Sequence, residues 1–167
     1  MRNKIIVKMC IIAVFAALTF VMTSFLAFPI ANGAGYLNFS DVFIMFVAVV
    51  VDPISGGLVG LIGASLADLY GGYFQYIAFT AIIKFIEGII CGYMIRIIKV
   101  RYLKFIPFIF SGLVMGLLYM IPDIIFYDIS IMIFDLPFNI IQGFICGIIG
   151  YSLYELIGNP IKKIIKI

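Results

Sequence analysis

Long apolar runs separated by short polar segments repeat along the whole chain of 167 residues. Runs of this kind have the length that an α-helix needs to cross the roughly 30 Å hydrocarbon core of a bilayer. The pattern therefore predicts an all-α membrane protein, a compact bundle that forms a single domain over residues 1–167. Its six transmembrane helices are expected near residues 5–27, 38–51, 54–70, 77–98, 105–127 and 136–158.

Prolines and acidic residues mark several of the expected helix boundaries. The second and third runs are short and meet at Asp52-Pro53, so two tight crossings and a re-entrant hairpin both remain open. Pro122 is expected to kink the fifth helix near its outer end. Asp135 and Pro137 together are expected to form the cap and the opening turn of the sixth helix.

Composition and charge agree with a membrane protein and give it an orientation. A hydrophobic content of 65% with 11% charged residues leaves too little polar surface for a soluble protein. Ten of the eleven basic residues fall on one side of a six-helix topology. By the positive-inside rule that side, with both termini, is cytoplasmic. This placement explains the net charge of +3 better than a nucleic-acid partner would. The ten residues are Arg2, Lys4, Lys8, Arg96, Lys99, Arg101, Lys104, Lys162, Lys163 and Lys166.

Polar residues within the spans are the candidates for function, because a polar group in hydrocarbon is costly unless it is paired or hydrated. They gather in the expected extracellular half. Several aromatic residues, among them Tyr36 and Phe74, lie beside them in or near the outer loops. Together they predict an apolar-walled pocket with a few placed polar contacts. The candidate substrate-binding residues are Asn38, Asp41, Asp68, Tyr73, Tyr76, Lys84, Glu87, Tyr119, Asp123, Asn139 and Gln142.

Two plainer interpretations stay open for these residues. Lys84 could form a structural ion pair with Glu87 or Asp68, and the tyrosines could form an interfacial belt. If the residues do form a pocket, one lysine among four acids favours a neutral or weakly cationic, hydroxylated heterocycle over a carboxylate or phosphate.

Motifs for catalysis are missing from the sequence. There is no histidine, no pair of cysteines at metal-ligand spacing, no phosphate-binding G-x-x-x-x-G-K-[ST] loop and no G-x-S-x-G elbow. We therefore expect no catalytic site, no metal and no cofactor, and ATP energy, if used, has to come from partners. The rival hypothesis is a membrane-embedded enzyme for a lipid or isoprenoid with Asp68, Glu87 and Asp123 as metal ligands. A third is a structural partner subunit without a ligand.

Three stretches of the sequence resemble one known family. They are Gly35-Tyr-Leu-Asn-Phe-Ser-Asp41; the glycine-rich stretch 52–69, which continues into 72–73 and 80–88; and Leu136-Pro-Phe-Asn-Ile-Ile-Gln-Gly143. In this order they resemble the S components of energy-coupling factor (ECF) transporters, in the group associated with riboflavin, hydroxymethylpyrimidine and vitamin B6. Asp52 departs from the family pattern, which usually has glycine there.

The resemblance implies a six-helix subunit in the prokaryotic plasma membrane that binds a vitamin from outside. It implies a vitamin B6-type compound or hydroxymethylpyrimidine as the first substrate candidate and riboflavin as the second. It also implies docking on a transmembrane T component with two cytoplasmic ATPase subunits. Ala13 and Ala17, a small-residue stripe on the first helix, resemble the docking surface for the T component in this family.

Overall fold

The computed structural model of the chain describes residues 2–30 and 35–165, without the side chains of residues 2, 3, 29, 30, 35, 36, 164 and 165. The side chains of Arg2 and Tyr36, and the whole of Lys166, on which sequence-based predictions rest, thus lie outside the described part. The helices are α1 (Arg2–Phe25), α2 (Asp41–Val50), α3 (Pro53–Gly71), α4 (Ile77–Ile97), α5 (Ile106–Leu118), α6 (Met120–Phe126), α7 (Ile129–Leu153) and α8 (Asn159–Ile165). A 3₁₀ turn (Arg101–Leu103) precedes α5, and a π-helical turn (Tyr154–Gly158) joins α7 to α8.

The predicted bundle of apolar helices is confirmed. Five segments of the described chain are long and apolar enough to cross a membrane, with α5 and α6 counted as one segment and α7 to α8 as another. The sixth, α2, is shorter. The sequence did not predict the small antiparallel hairpin of β1 (Phe28–Ile30) and β2 (Gly35–Leu37) between α1 and α2, in which Phe28 pairs with Leu37.

The shortest of the six predicted spans, α2, is also the most deeply buried. α2 has 10 residues, which makes it about 15 Å long and so about half the thickness of the hydrocarbon core. It runs antiparallel to α3, since Ala48 lies against Gly56 and Ile44 against Gly60. Nearly all of its side chains are buried among α1, α3, α4 and α7. α2 and α3 thus form a hairpin in which α2 starts near mid-depth, at Asp41.

The turn of this hairpin is stabilised by Asp52. The Asp52 side chain caps α3 by accepting a hydrogen bond from the Ser55 amide at 2.9 Å, and Pro53 opens the helix. Lys8 of α1 lies 2.9 Å from the same carboxylate. Burial by itself raises the pKa of Asp52, but the hydrogen bonds from Lys8 and Ser55 outweigh it and hold the pKa below its usual value. Asp52 therefore joins α1 to the α2–α3 turn.

The predicted break in the fifth span is confirmed. α5 ends at Leu118 and α6 begins at Met120, with Pro122 in the first turn of α6. Proline has no amide proton and its ring clashes with the preceding turn, so the helix cannot continue straight through it.

The predicted start of the last span is wrong. α7 begins at Ile129, seven residues before the expected start, because Asp128 caps it with hydrogen bonds of 2.7 Å to the Ser130 amide and 3.1 Å to the Ile131 amide. Pro137 lies inside the helix, which a membrane helix tolerates when its neighbours satisfy the freed backbone groups. Asp135 is consequently not a cap but a buried residue in the second turn of α7.

Glycines allow neighbouring helices of the bundle to approach closely. Gly112 of α5 and Gly143 of α7 face each other so closely that a Cβ atom on either would meet the backbone of the other. Gly88 of α4 meets the backbone of Gly57 of α3 in the same way. Small residues at such contacts are what holds apolar helices together in lipid, where burial of apolar surface gives no drive for association.

Candidate substrate-binding cavity

A cavity opens at the end of the bundle that holds the β-hairpin. The centre of a water molecule can reach about 40 Å³ of it, and the empty space is about 500 Å³ when the open solvent at its mouth is included. The accessible volume is thus below the roughly 300–1,000 Å³ typical of small-molecule sites, and the cavity is a narrow slot with an open mouth. The lining residues are Thr23, Asn38, Ser40, Ala64, Asp68, Tyr73, Tyr76, Thr80, Lys84, Tyr119, Asp135, Asn139 and Gln142.

Lys84 of α4 brings a positive charge to the floor of this cavity. Its ammonium group forms an ion pair with Asp41 at the start of α2, and Glu87 lies 3.5 Å away. The ammonium nitrogen also sits 5.6 Å from the centre of the Tyr119 ring. Lys84 therefore has a structural ion pair, as one interpretation expected, but its nearest carboxylate is Asp41, which that interpretation did not name.

Gln142 of α7 connects this ion pair to Asn38, the residue that follows strand β2. Its amide nitrogen donates to Asp41 at 2.8 Å, and its amide oxygen accepts from the backbone N–H of Asn38 at 3.0 Å. The Asn38 side chain in turn accepts from the backbone N–H of Ser40 at 2.9 Å. These contacts bring together residues 101 and 104 positions apart in sequence, so the predicted convergence of the polar residues is present.

Asp135 and Asn139 form a second polar pair one turn further out along α7. The Asn139 side-chain nitrogen donates to Asp135 at 2.8 Å, and both side chains are buried. Sequence reasoning missed Asp135 because Pro137 suggested a helix start there. The spacing of Asp135, Asn139 and Gln142, at i, i+4 and i+7, is the signal that could have placed all three on one helix face.

Thr23 of α1 was also missed as a lining residue, because the first helix was considered only as a docking surface. Ser40 and Thr80 complete the polar lining. The Thr80 hydroxyl lies 3.3 Å from the hydroxyl of Tyr119. Four of the bundle's long helices, α1, α3, α4 and α7, thus each present at least one polar side chain to the cavity.

The predicted aromatic residues separate into two groups. Tyr73 and Tyr76 line the cavity, and the Tyr76 hydroxyl donates to Asp123 at 2.8 Å. Burial, followed by this carboxylate, raises the pKa of Tyr76, so its hydroxyl stays a donor. Phe74 is 65% exposed and does not line the cavity.

Three predicted site residues, Asp41, Glu87 and Asp123, lie behind the lining rather than in it. Each contacts a lining side chain: Asp41 contacts Lys84 and Gln142, Glu87 contacts Lys84, and Asp123 contacts Tyr76. Within the described ranges, no group of three or more Asp, Glu or Cys side chains is arranged to hold a metal ion. The metal ligand set of the rival enzyme hypothesis is therefore not assembled there.

A family model and two relatives match this chain over most of its length. The sequence profile of the S component of the ECF-type riboflavin transporter matches residues 3–159. A thiamine precursor transporter, HmpT, of Lactococcus lactis is 32% identical over 164 residues, covering 98% of this chain and 92% of the relative. An uncharacterised protein of Pyrococcus woesei is 34% identical over 142 residues, covering 83% of this chain and 95% of that protein.

The fold has a counterpart among solved structures. The S component of a bacterial ECF transporter superposes with a TM-score of 0.72 at 24% identity, covering 97% of this chain and 99% of that one. At this identity the likeness concerns the fold.

Proposed function

Because the chain belongs to the family of ECF-type vitamin transporter S components, we propose that it captures a small heterocyclic vitamin precursor, hydroxymethylpyrimidine first, from the extracellular side. Members of this family are multi-pass proteins of the cell membrane and are transporter subunits rather than enzymes. The observation that carries the proposal is the narrow polar cavity beside the β-hairpin, lined by the amides, tyrosines and Lys84 described above.

The name of one relative supports this order of substrates. HmpT of Lactococcus lactis is a thiamine precursor transporter and aligns along nearly the whole chain. A single pyrimidine or pyridine ring suits a slot in which the centre of a water molecule reaches only about 40 Å³. A vitamin B6-type ring has the same size, so it stands beside hydroxymethylpyrimidine.

Riboflavin is the second candidate, on the strength of the family profile that matches this chain. Its three fused rings and ribityl chain need more room than the slot offers, so its binding would require the hairpin and the outer end of α7 to move apart. We therefore rank it below the single-ring compounds.

The charge of the cavity supports a ligand without a negative group. Lys84 is already paired with Asp41 and Glu87, and Asp68 and Asp135 line the same space. A carboxylate or phosphate entering it would meet more negative than positive charge. A neutral or weakly cationic ring meets no such repulsion.

Energy for uptake would come from partners, a transmembrane T component and two cytoplasmic ATPase subunits. The described chain leaves Ala13 and Ala17 of α1 exposed. Only a small part of α1 is buried against the rest of the bundle. We propose this small-residue face as the docking surface for the T component.

Calorimetric titration of the purified protein in detergent tests the proposal. We expect hydroxymethylpyrimidine to bind at or below micromolar concentration, and Gln142→Ala to weaken it strongly, because Gln142 holds Asp41 and Asn38 in place. Ser152→Ala, an exposed position on the same helix, is the matched control and should bind as the parent does. If neither single-ring compounds nor riboflavin bind at micromolar concentration, the proposal is wrong.

A further inference from the structure

Two polar atoms on different walls of the cavity have no hydrogen-bond partner among the described residues. They are Oδ1 of Asp135 on α7 and Oγ1 of Thr23 on α1. Asp135 is 6% exposed and Thr23 5% exposed, and both line the cavity. Buried polar groups in proteins are nearly always hydrogen-bonded, so two such atoms on residues that line one cavity suggest a molecule bound there as the missing partner.

The unpartnered oxygen of Asp135 is held in a fixed direction. Its other oxygen, Oδ2, accepts a hydrogen bond from Asn139 at 2.8 Å, so the carboxylate cannot rotate without losing that bond. A carboxylate oxygen is only an acceptor, and the atom that it meets must therefore be a donor.

The positive charge of the cavity does not supply that donor. Lys84 is engaged with Asp41 and Glu87 on α2 and α4. Tyr76 directs its hydroxyl to Asp123 and Tyr119 directs its hydroxyl to Thr80. None of these three side chains donates to Asp135 Oδ1, so the donor is expected from a molecule that enters the cavity, a ligand or a water.

We propose that Asp135 accepts a hydrogen bond from a primary amino group on the ring of the ligand and thereby selects amino-substituted heterocycles over their oxo counterparts. The Thr23 hydroxyl, on the facing wall, binds a second polar group of the same ligand. This inference rests on the proposed capture of a small heterocycle and names the ring substituent that is recognised. A site that needs a donor rejects an oxo group because two acceptors would face each other.

The test compares two ligands on two proteins by titration calorimetry. The ligands are 4-amino-5-hydroxymethyl-2-methylpyrimidine and the analogue with an oxo group in place of the amino group. The parent protein should bind the amino compound at least about tenfold more tightly, since a hydrogen bond to a charged group is worth at least a factor of that order. In Asp135→Asn the amide oxygen can still accept from Asn139 while the amide nitrogen faces the ligand as a donor. This variant should lose the preference or reverse it.

A control and a second variant keep the test decisive. Glu155→Gln, near the opposite end of the bundle, removes a carboxylate far from the cavity and should keep the parent's ratio of affinities. Thr23→Val should weaken both pyrimidines by a similar factor, because the hydroxyl does not contact the amino position. Should Asp135→Asn fail to fold, Asn139→Ala replaces it: this variant removes the hydrogen bond that orients Asp135 and should lower the preference for the amino compound, whereas an unchanged preference would count against Asp135.

The failures can be told apart. Equal binding of both pyrimidines to the parent, or an unchanged preference in Asp135→Asn, overturns the role of Asp135 and leaves vitamin capture standing. Binding of neither pyrimidine while riboflavin binds overturns the amino-group inference and the substrate order together. If no heterocycle binds at all, both the inference and the proposed function fall.

Discussion

Lys84 holds together the buried polar network that it forms with Asp41, Glu87 and Gln142. Its side chain is 3% exposed and lies between Asp41 and Glu87, and Gln142 donates a hydrogen bond to Asp41. A buried ion pair gains little over an apolar pair, but removing one partner leaves an uncompensated charge in a low-dielectric interior. The effect of a mutation here should therefore be much larger than at a surface ion pair.

We expect Lys84→Met to lower the free energy of unfolding by about 3–5 kcal/mol, because Asp41 and Glu87 would remain buried without their cation. The measurement is thermal unfolding of the detergent-solubilised protein. Lys8→Met, which removes a partly exposed partner of Asp52, is the control and should cost about 1 kcal/mol or less. Equal losses in the two variants would contradict the view that Lys84 is the buried centre of the network.

The sequence identified most of the polar residues of the cavity but not their pairing. Lys84, Asn139 and Gln142 could be found because charged and amide side chains are rare in apolar runs. Which acid lies nearest Lys84 depends on how α2 packs against α4, and no local pattern contains that information. Asp135 was misassigned because a proline two residues later is usually a helix boundary, whereas in a membrane helix it is tolerated.

At the scale of single helices, Asp52 shows how one side chain can define a hairpin. It caps α3 through Ser55 and reaches Lys8 of α1. Two substitutions separate these roles. Asparagine keeps an acceptor for the cap but loses the charge, while alanine loses both.

Asp52→Ala should lower the free energy of unfolding by about 0.5–2 kcal/mol, and Asp52→Asn by less, because the cap contributes more than a partly exposed ion pair. The pKa of Asp52 is lowered in the folded protein. Its stabilisation is therefore complete above the pKa of the unfolded chain and is lost as the pH falls through the folded value. Thermal unfolding between neutral and acidic pH measures both effects. An alanine variant no less stable than the asparagine variant would contradict the role of the cap.

The contact between α5 and α7 depends on Gly112 and Gly143. Gly143→Ala places a methyl group against the backbone of Gly112, which cannot give way as a side chain can. Overpacking of this kind costs about 1–3 kcal/mol, and the shift of α7 should also weaken ligand binding, since Gln142 is the adjacent residue. Unfolding and titration measurements check the two effects.

Gly150→Ala is the matched control on the same helix. The added methyl group would lie 3.2 Å from an atom of the Phe108 ring, and a ring can shift by a few tenths of an ångström. We expect a smaller loss of stability and unchanged ligand binding. If both variants bind ligand as the parent does, the glycine contact does not position the cavity.

The spans themselves were the easiest elements to predict. Five of the six follow from uninterrupted apolar length, and the helix break at Pro122 follows from the missing amide proton. The β-hairpin was missed because three-residue strands carry too little alternation to be recognised in an apolar sequence.

For the whole molecule, the distribution of basic residues predicts that both termini are cytoplasmic. An epitope tag after Ile167 should be digested by protease only when membranes are inverted. A tag inserted at Asp128, between α6 and α7, should be digested in intact cells. The opposite pattern would place the cavity on the cytoplasmic side and contradict capture from outside.

Docking through α1 is also a property of the assembled transporter. Ala17→Trp should abolish vitamin uptake in cells while leaving ligand binding to the purified subunit unchanged, because the bulky ring would hold the T component away. Leu66→Trp, at a 48% exposed position on α3, is the control and should support normal uptake. Loss of uptake in both variants would indicate a general defect in assembly or insertion instead.

The short helix α2 has a consequence for how the chain enters the membrane. Ten residues are too few for the insertion machinery to recognise as an independent span. Nearly all side chains of α2 are buried against neighbouring helices rather than exposed to lipid. We expect α2 to enter the bilayer only together with α3, as one inserted unit, and its final position to be reached after α4 and α7 have been synthesised. The contacts of Asp41 with Lys84 and Gln142 would then be the last contacts of the bundle to form.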